Sequence, residues 1–266
     1  MNNIKTKIVG ILNITPDSFS DGGSFFNTES AIKKIQSLEN EGAEVIDIGA
    51  ESTRPYASEL SPDEEWNRLS PILEKISHIK IKAEISIDTR HPETAERAIS
   101  AGVHWINDVS GFENPEMINV VKNSNVKIVF MHNLGIPANK QKTIPDKDNP
   151  VKTVCSWAET KIKLFENSGI SKERLIFDPG IGFGKNAEQS LQLIKSASDF
   201  KKIGTKIMFG HSRKSFIALF SDKQASERDI ETFAISCHLY QCGIDYLRVH
   251  DAEGNIRAIT AFAETL

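Results

Sequence analysis

The chain has 266 residues, 39% of them apolar and 26% charged, and a formal net charge of -4, which suits a globular protein with a sizeable core and gives no basic footprint for nucleic acid. No run approaches the roughly 18 consecutive apolar residues of a membrane span, and the opening MNNIKTKIVG lacks the apolar stretch and cleavage site of a signal peptide, so no membrane partner and a cytosolic location are expected. Cys155, Cys237 and Cys242 form no CxxC pair, which argues against a disulfide framework or structural zinc and leaves core filling.

Taken in chain order, the first apolar run, KIVGILN, ends on Asn13 and dissolves into the turn-rich TPDSFSDGG. Such an end is either turn chemistry or a loop that faces a ligand. Further β-branched runs follow: AEVIDIG, AEISID, HWINDVS, KIVFMH, RLIFDPG, KIMFGHS and YLRVH. Helical patterns lie between them. Ser61-Pro62-Asp63-Glu64 reads as a capping box with Pro in the first turn, followed by an apolar face through Trp66 and Leu69. Pro71 is expected to interrupt or restart that helix, with Ser70 as a second cap. Other helices are expected after Pro92, Pro115, Pro150 and Asp229, and GIPANKQKTIPDKDNP, residues 135–150, reads as a long surface loop. Eight strand–helix units of about 33 residues predict a closed (β/α)₈ barrel occupying residues 1–266 as one domain, with a doubly wound open sheet as the alternative.

In such a barrel the site is built at the carboxyl ends of the strands. Here those ends are polar almost throughout: Asn13, then Asp47 and Glu51, Asp88, Asn107 with Asp108, His132, Asp178, the run His211 to Lys214, and Arg248 with His250. Any one of them could simply cap a helix or hold a turn. Together they describe a pocket with carboxylates and amides on one side and cations on the other. Asp88, Asn107 and Asp178 suit a planar heterocycle with amidine-like donors, since a carboxylate accepts two parallel N–H bonds and an amide both donates and accepts. Arg248 and His250 suit an anion such as phosphate, and Asn13 offers a neutral donor or acceptor to a phosphate or metal. A metal hydrolase is disfavoured because no His-x-His follows the first strand.

Two further stretches carry information. DPGIGFGK, Asp178 to Lys185, has three residues where a nucleotide-binding loop needs four, and Asn186 where Ser or Thr should follow; its glycines instead allow close approach to a flat ligand, with Phe183 over one face. In GHSRKSFIALF a strand is expected to turn directly into a helix, so that free N–H groups and the cations Arg213 and Lys214 converge where a carboxylate would bind.

The stretches NITPDSFSDGG, GAEVIDIGAESTRP, ISIDT, INDVSG, FMH, DPGIGFGK, GHSRKSF and LRVHD, in this order from Gly10 to Asp251, resemble the dihydropteroate synthase family of folate biosynthesis. The resemblance implies a transferase that joins the hydroxymethyl carbon of 6-hydroxymethyl-7,8-dihydropterin pyrophosphate to the amine of p-aminobenzoate and releases pyrophosphate. It implies that Asp88, Asn107, Asp178 and Lys214 hold the pterin, and that Asn13, Arg248 and His250 hold Mg²⁺-pyrophosphate with Asn13 on the metal. By the same resemblance Thr53, Arg54 and Pro55, with Phe183 and Ser215, seat p-aminobenzoate, Phe19 and Asp21 belong to a closing loop, and the chain is a homodimer. The catalytic set is then Asn13, Asp88, Asp178, Lys214, Arg248 and His250. Departures from the family pattern fall at His211, Ala50 and MHNLGIPANKQKTIP, which bear on the rim of the pocket and on the loop after the fifth strand. Two alternatives share the fold: a pterin-binding methyltransferase domain, against which ESTRP, SRKS and RVHD argue, and a catalytically silent pterin-binding barrel.

Overall fold

A computed structural model describes residues 6–14, 24–51, 59–139 and 141–266, with side chains from residue 28 onward in the first helix. The eight β-branched runs form eight parallel strands: β1 (Lys7–Asn13), β2 (Val45–Gly49), β3 (Glu84–Asp88), β4 (Trp105–Asp108), β5 (Lys127–Met131), β6 (Leu175–Asp178), β7 (Lys206–Phe209) and β8 (Tyr246–Val249). Each pairs with the next and β8 pairs back with β1, so the sheet closes into a barrel. Between them run α1 (Ser24–Asn40), α2 (Pro62–Ser77), α3 (Pro92–Ser100), α4 (Pro115–Lys122), α5 (Pro150–Asn167), α6 (Ala187–Lys195) and α7 (Asp229–Gln241), and α8 (Ala252–Ala263) follows β8. The barrel expectation holds, and the open sheet is set aside.

Period-two alternation on each strand sorts side chains between two cores. Ile8, Ile46, Ile48, Ile85, Ile106, Phe130, Phe177 and Leu247 pack outward among the helices. Val9, Val45, Trp105, Val129, Ile176, Met208 and Tyr246 form a separate buried cluster inside the barrel, where Trp105 and Tyr246 meet edge to face with centroids 4.9 Å apart. Two residues beyond this floor, the inward positions on β2, β4, β6 and β8 become polar, as Asp47, Asn107, Asp178 and Arg248. Asn13 pairs with Gly49 and Gly49 with Asp88, which in turn pairs with Asn107, so these four stand level around one side of the mouth.

The helix starts follow the local chemistry. Ser61 accepts from the Glu64 amide while Glu64 Oε2 accepts from the Ser61 amide at 2.9 Å, completing the expected capping box. Proline occupies the first turn of α2, α3, α4 and α5, where its missing N–H costs nothing. Pro71 does not break α2 as the sequence suggested: the helix runs through it to Ser77 and Ser70 caps nothing. Pro71 and Asn67, whose carbonyl it leaves unpaired, both face solvent, so water can satisfy that group while buried Leu69, Ile72 and Leu73 hold the helix down. After β7 the expected helix is only a 3₁₀ turn over Ser215–Leu219, and α7 begins ten residues later at Asp229. Residues 132–149 carry no strand or helix among those described, as expected of the loop, yet Ile144 is buried and its carbonyl accepts from Gln189 Nε2 at 2.7 Å.

Candidate active site

The inward polar layer is organised around Asp47. Its carboxylate is buried and accepts from Ser86 Oγ at 2.5 Å, Asn107 Nδ2 at 3.0 Å and Arg248 Nε at 2.6 Å. Arg248 then reaches with Nη2 to Asp88 Oδ2 at 2.9 Å. One guanidinium from β8 therefore bridges two carboxylates from β2 and β3, an arrangement that the order of residues in the chain does not reveal. Burial, with Asp47 close by, pushes the Asp88 carboxyl up to about 8 against the pull of Arg248. These contacts leave acceptors open. Asp88 Oδ1 and Asn107 Oδ1 accept no hydrogen bond among the described residues, and the Asn107 amide is oriented by its bond to Asp47.

Asp178, at the end of β6, adds a third open acceptor. Its Oδ1 accepts from the Gly180 amide at 2.7 Å, and Oδ2 accepts nothing among the described residues. Burial raises its pKa, with Lys214 and Arg248 pulling the other way. Lys214 donates to the Ile181 carbonyl at 2.5 Å and lies 4.3 Å from the centroid of the Phe183 ring, so it spans the β6 loop beside Asp178. Burial lowers the Lys214 ammonium to about 8, opposed by Asp178 and helped by Arg248. The β6 loop is fixed from below as well: Lys185 donates to the His132 carbonyl at 2.9 Å, the Phe183 carbonyl at 2.8 Å and His132 Nδ1 at 2.7 Å. Gly180 has a φ of 69°, and a Cβ there would lie 2.0 Å from the His132 carbonyl oxygen, so no side chain fits. His132 itself faces this lysine and Trp157, and burial lowers its pKa to about 3. It serves the loop, with its imidazole neutral.

On the β8 side, Ser212 Oγ lies 2.9 Å from His250 Nδ1 and accepts from the His250 amide at 3.4 Å. Asn13 is half-buried at the end of β1, and its carboxamide makes no hydrogen bond among the described residues. A Cβ placed on Gly49 would lie 3.7 Å from Asn13 Oδ1 and 3.4 Å from Asp88 Cβ, so the bare glycine keeps the space between them open. Ser215 is exposed at the head of the 3₁₀ turn. Thr53, Arg54, Pro55, Phe19 and Asp21 lie outside the described residues.

Some strand-end residues turn away from the pocket. Glu51 accepts from Arg90 at 2.8 and 3.0 Å and from the Leu60 amide at 3.0 Å, which ties the β2 and β3 loops together. Asp108 accepts from the amides of Ser110 and Phe112 and shapes its own turn. His211 is buried behind the pocket, with Nε2 2.9 Å from Ser236 Oγ, so its departure from the family pattern does not alter the rim. Arg213, expected with Lys214 where a carboxylate ligand would bind, instead forks its guanidinium onto the carboxylate of Asp229 at 2.7 and 2.8 Å. Asp47 carries the hub and was noted in the sequence only as a strand-end acid; its signal was its position two residues after inward Val45.

Residues 9–250 match the family described as pterin binding enzyme. The chain belongs to the pterin-binding enzyme family. It is 38% identical over 266 residues to a folate synthesis bifunctional protein from Chlamydia muridarum, a match that takes in 97% of this chain and 59% of that one. The chain thus spans about three fifths of the length of the curated relatives it matches first. Its fold is similar to the crystal structure of dihydropteroate synthase from Anaplasma phagocytophilum with bound 6-hydroxymethylpterin-monophosphate, with a TM-score of 0.89, 36% identity, and coverage of 99% of this chain and 100% of that one. It is also similar to a Xanthomonas albilineans dihydropteroate synthase with 4-aminobenzoic acid, with a TM-score of 0.90, 34% identity, and coverage of 98% and 93%.

Proposed function

We propose that this barrel is a dihydropteroate synthase, which condenses 6-hydroxymethyl-7,8-dihydropterin pyrophosphate with p-aminobenzoate to give 7,8-dihydropteroate and pyrophosphate. The observation that carries the reading is the set of open acceptors at the mouth, Asp88 Oδ1, Asn107 Oδ1 and Asp178 Oδ2, on inward positions at the ends of three strands. A pterin ring presents a guanidine-like edge of N–H donors, and acceptors already oriented by Arg248, Asp47 and Gly180 suit it. Lys214 lies against Asp178 and over Phe183, where it would cover the ring and meet its carbonyl oxygen.

At the other end of the substrate, Asn13, His250 and Arg248 would meet the pyrophosphate. Arg248 is committed to Asp47 and Asp88 in the free protein, so its part in anion binding is to keep positive charge at the centre of an acidic site; His250 and the Asn13 amide are the contacts nearer the leaving group. The donor set suits Mg²⁺. That ion takes oxygen ligands, few of them from protein and several from water and substrate phosphates, and Asn13 Oδ1 beside the open Gly49 position gives it one amide oxygen and room. Among the described residues no group of three or more His, Cys, Asp or Glu could hold a metal by itself. When bound, Mg²⁺ would neutralise charge on the departing phosphates.

The C–O bond to pyrophosphate breaks first, the pterin ring stabilising the positive charge left on the methylene. The aromatic amine then forms the C–N bond and gives its proton to the released pyrophosphate. No protein nucleophile is needed. Thr53, Arg54, Pro55, Phe183 and Ser215 would seat p-aminobenzoate, with Phe19 and Asp21 on the loop that excludes water from the cation. A homodimer completes the reading. Its support is the outer face of α7, where Ile230 is 78% exposed and Ala234, Phe233, Cys237 and Tyr240 are exposed or half-buried.

Release of pyrophosphate from synthetic dihydropterin pyrophosphate, followed with and without p-aminobenzoate, tests the proposal. Release that depends on p-aminobenzoate and yields dihydropteroate is expected. No release, or release indifferent to the amine, would overturn it.

A further inference from the structure

Arg213 has a φ of 59°, in the left-handed region that a long side chain adopts only when its surroundings impose it. Its neighbours on either side are Ser212, which contacts His250, and Lys214, which spans the β6 loop. Apart from the turn's own Lys214 N–H to His211 carbonyl bond at 3.3 Å, the contacts on the kink come from α7 and the residue just before it. Asp229 takes the Arg213 guanidinium with two bonds, at 2.7 and 2.8 Å. Thr232 Oγ1 accepts from the Arg213 amide at 3.2 Å, having given its own proton to the Arg228 carbonyl at 2.7 Å. Arg228 Nη1, just before the helix, donates to the carbonyls of Arg213 and Lys214 at 3.4 and 3.3 Å. One turn further, Ser236 Oγ meets His211 Nε2 at 2.9 Å. Ser236 donates its only proton to Asn255 Oδ1 at 2.5 Å, so His211 Nε2 must carry the hydrogen of that contact.

Asp229, Thr232 and Ser236 are spaced i, i+3 and i+7, which puts them on one face of the helix. Asp229 and Thr232 on that face hold Arg213, and Ser236 holds His211, so the stripe grips the strap from His211 to Arg213 at both ends. Three of these bonds reach the strap's own backbone, at the Arg213 amide and the carbonyls of Arg213 and Lys214, and so act on its direction. We propose that Asp229, Thr232 and Arg213 are positioning residues for this reaction: α7 holds the left-handed turn at Arg213 so that Ser212 faces His250 and Lys214 faces the pterin. The assignment rests on the reading of Lys214 as a pterin ligand.

The test uses the full chain and the variants Asp229→Ala, Asp229→Glu, Thr232→Val and Arg213→Gly. Asp229→Ala removes a two-point charged anchor and is expected to raise KM for dihydropterin pyrophosphate roughly tenfold, with KM for p-aminobenzoate changed less, because charge-assisted bidentate pairs are the strong ones. Asp229→Glu, which keeps the carboxylate, should recover most of that loss. Thr232→Val should give an effect of about threefold, as expected for a neutral bond. Arg213→Gly tolerates the same φ and still lacks the anchor, so it should resemble Asp229→Ala; wild-type kinetics in it would show that only the backbone matters and would overturn the role of the side chain. A second readout needs no turnover. Hydrogen exchange in the peptide covering residues 210–216 should rise about tenfold in Asp229→Ala while β2, β3 and β4 keep their protection. Exchange that rises uniformly over the barrel, or kinetics within twofold of wild type in both Asp229→Ala and Thr232→Val, would overturn the proposal. A wild type that fails to turn over the pterin substrate counts against the substrate reading, and the exchange measurement still judges the clamp.

Discussion

The floor and the mouth of this barrel are made from the same strands two residues apart, and they differ in almost everything else. Val45 gives way to Asp47, Trp105 to Asn107, Ile176 to Asp178 and Tyr246 to Arg248. The floor is mostly apolar and closely packed, and the indole N–H of Trp105 has its partner in Glu84. The mouth holds three carboxylates, one shared guanidinium and several acceptors without partners among the described residues. Such a layer cannot be explained by stability, since burying charge with incomplete pairing is unfavourable. The comparison teaches that the strands provide rigidity at one level and chemistry at the next, with the pleat as the only separator.

Substitution at the mouth should therefore damage binding and spare the fold. Asp178→Ala is expected to show the largest effect. Losing a charged acceptor for two ring N–H donors costs roughly 1.5 to 3 kcal/mol per bond, so pterin affinity measured by calorimetry should fall by at least about a hundredfold. Burial disfavours the Asp178 carboxylate, while its removal leaves the Gly180 amide without its acceptor, so the two effects oppose and the unliganded variant should melt within a few degrees of its parent. Unchanged pterin affinity in the folded variant would move the ligand elsewhere in the barrel.

The floor should show the reverse. Trp105 is buried, stacks edge to face on Tyr246 and donates from Nε1 to Glu84 at 2.7 Å. Trp105→Ala should lose about 3 to 5 kcal/mol of stability, read from urea unfolding, because it combines lost burial with a cavity. The pterin affinity of the folded protein should stay within about twofold, since the alanine sits a full pleat below Asn107. A large affinity loss at the floor would mean that the two levels are mechanically coupled.

How much of this was legible beforehand follows from the same geometry. Strand positions and their polar ends could be read because alternation and turn chemistry are local signals, and those signals led to Asn13, Asp88, Asn107, Asp178, Lys214 and Arg248. The partner of a charge is not local. Arg248 meets Asp47, 201 positions away, only after the barrel has closed, and nothing in the chain order says which carboxylate wins. The same reason hid the pairing of Arg213 with Asp229, although the spacing of Asp229, Thr232 and Ser236 carries a helical period that could have been noticed. Pro71 misled for a different reason. Its local penalty is real, but here the freed carbonyl faces water and the burial of Leu69, Ile72 and Leu73, a tertiary gain, outweighs it.

The cationic side of the mouth can be sharpened by pH. With Lys214 lowered to about 8 by burial, its ammonium is present below that pH and lost above it. If it contacts the pterin, kcat/KM should hold level from near-neutral pH and then decline about tenfold per unit on the alkaline side, reporting the free protein. Lys214→Arg should move that limb upward out of reach. A limb that stays near 8 in the arginine variant would belong to another group, Asp88 being the first candidate.

The anionic side makes a smaller prediction about stability. Asp88 holds its proton in the folded chain up to about 8, above the ordinary carboxylate value, so its contribution is fully present near pH 4 and is lost as pH rises toward 8. Asp88→Asn removes that dependence and leaves Arg248 paired with Asp47 at 2.6 Å. The variant should melt a few degrees above its parent at pH 8, given roughly 2 to 4 °C per kcal/mol for a domain of this size, and the gap should close toward pH 4. It should also bind pterin poorly. Equal melting at pH 8 would mean that Arg248 compensates both carboxylates fully.

The smallest expected effect separates the two ends of the substrate. The Asn13 carboxamide makes no hydrogen bond among the described residues, and the open position at Gly49 lies between it and Asp88, so its removal disturbs no contact that shapes the pterin side. Asn13→Ala should therefore bind a pterin without pyrophosphate within about twofold of the parent, the range of a neutral contact at most. The pyrophosphate ester should lose more, and the Mg²⁺ concentration needed for half-maximal turnover should rise by several-fold, about the value of one oxygen ligand among water and phosphate oxygens. Titrating both pterins with and without Mg²⁺ gives the four affinities that decide it. If the bare pterin and the ester weaken together, Asn13 acts on the ring and the mouth has one binding zone; if only the ester weakens, and only when Mg²⁺ is present, the mouth is divided as its charges suggest.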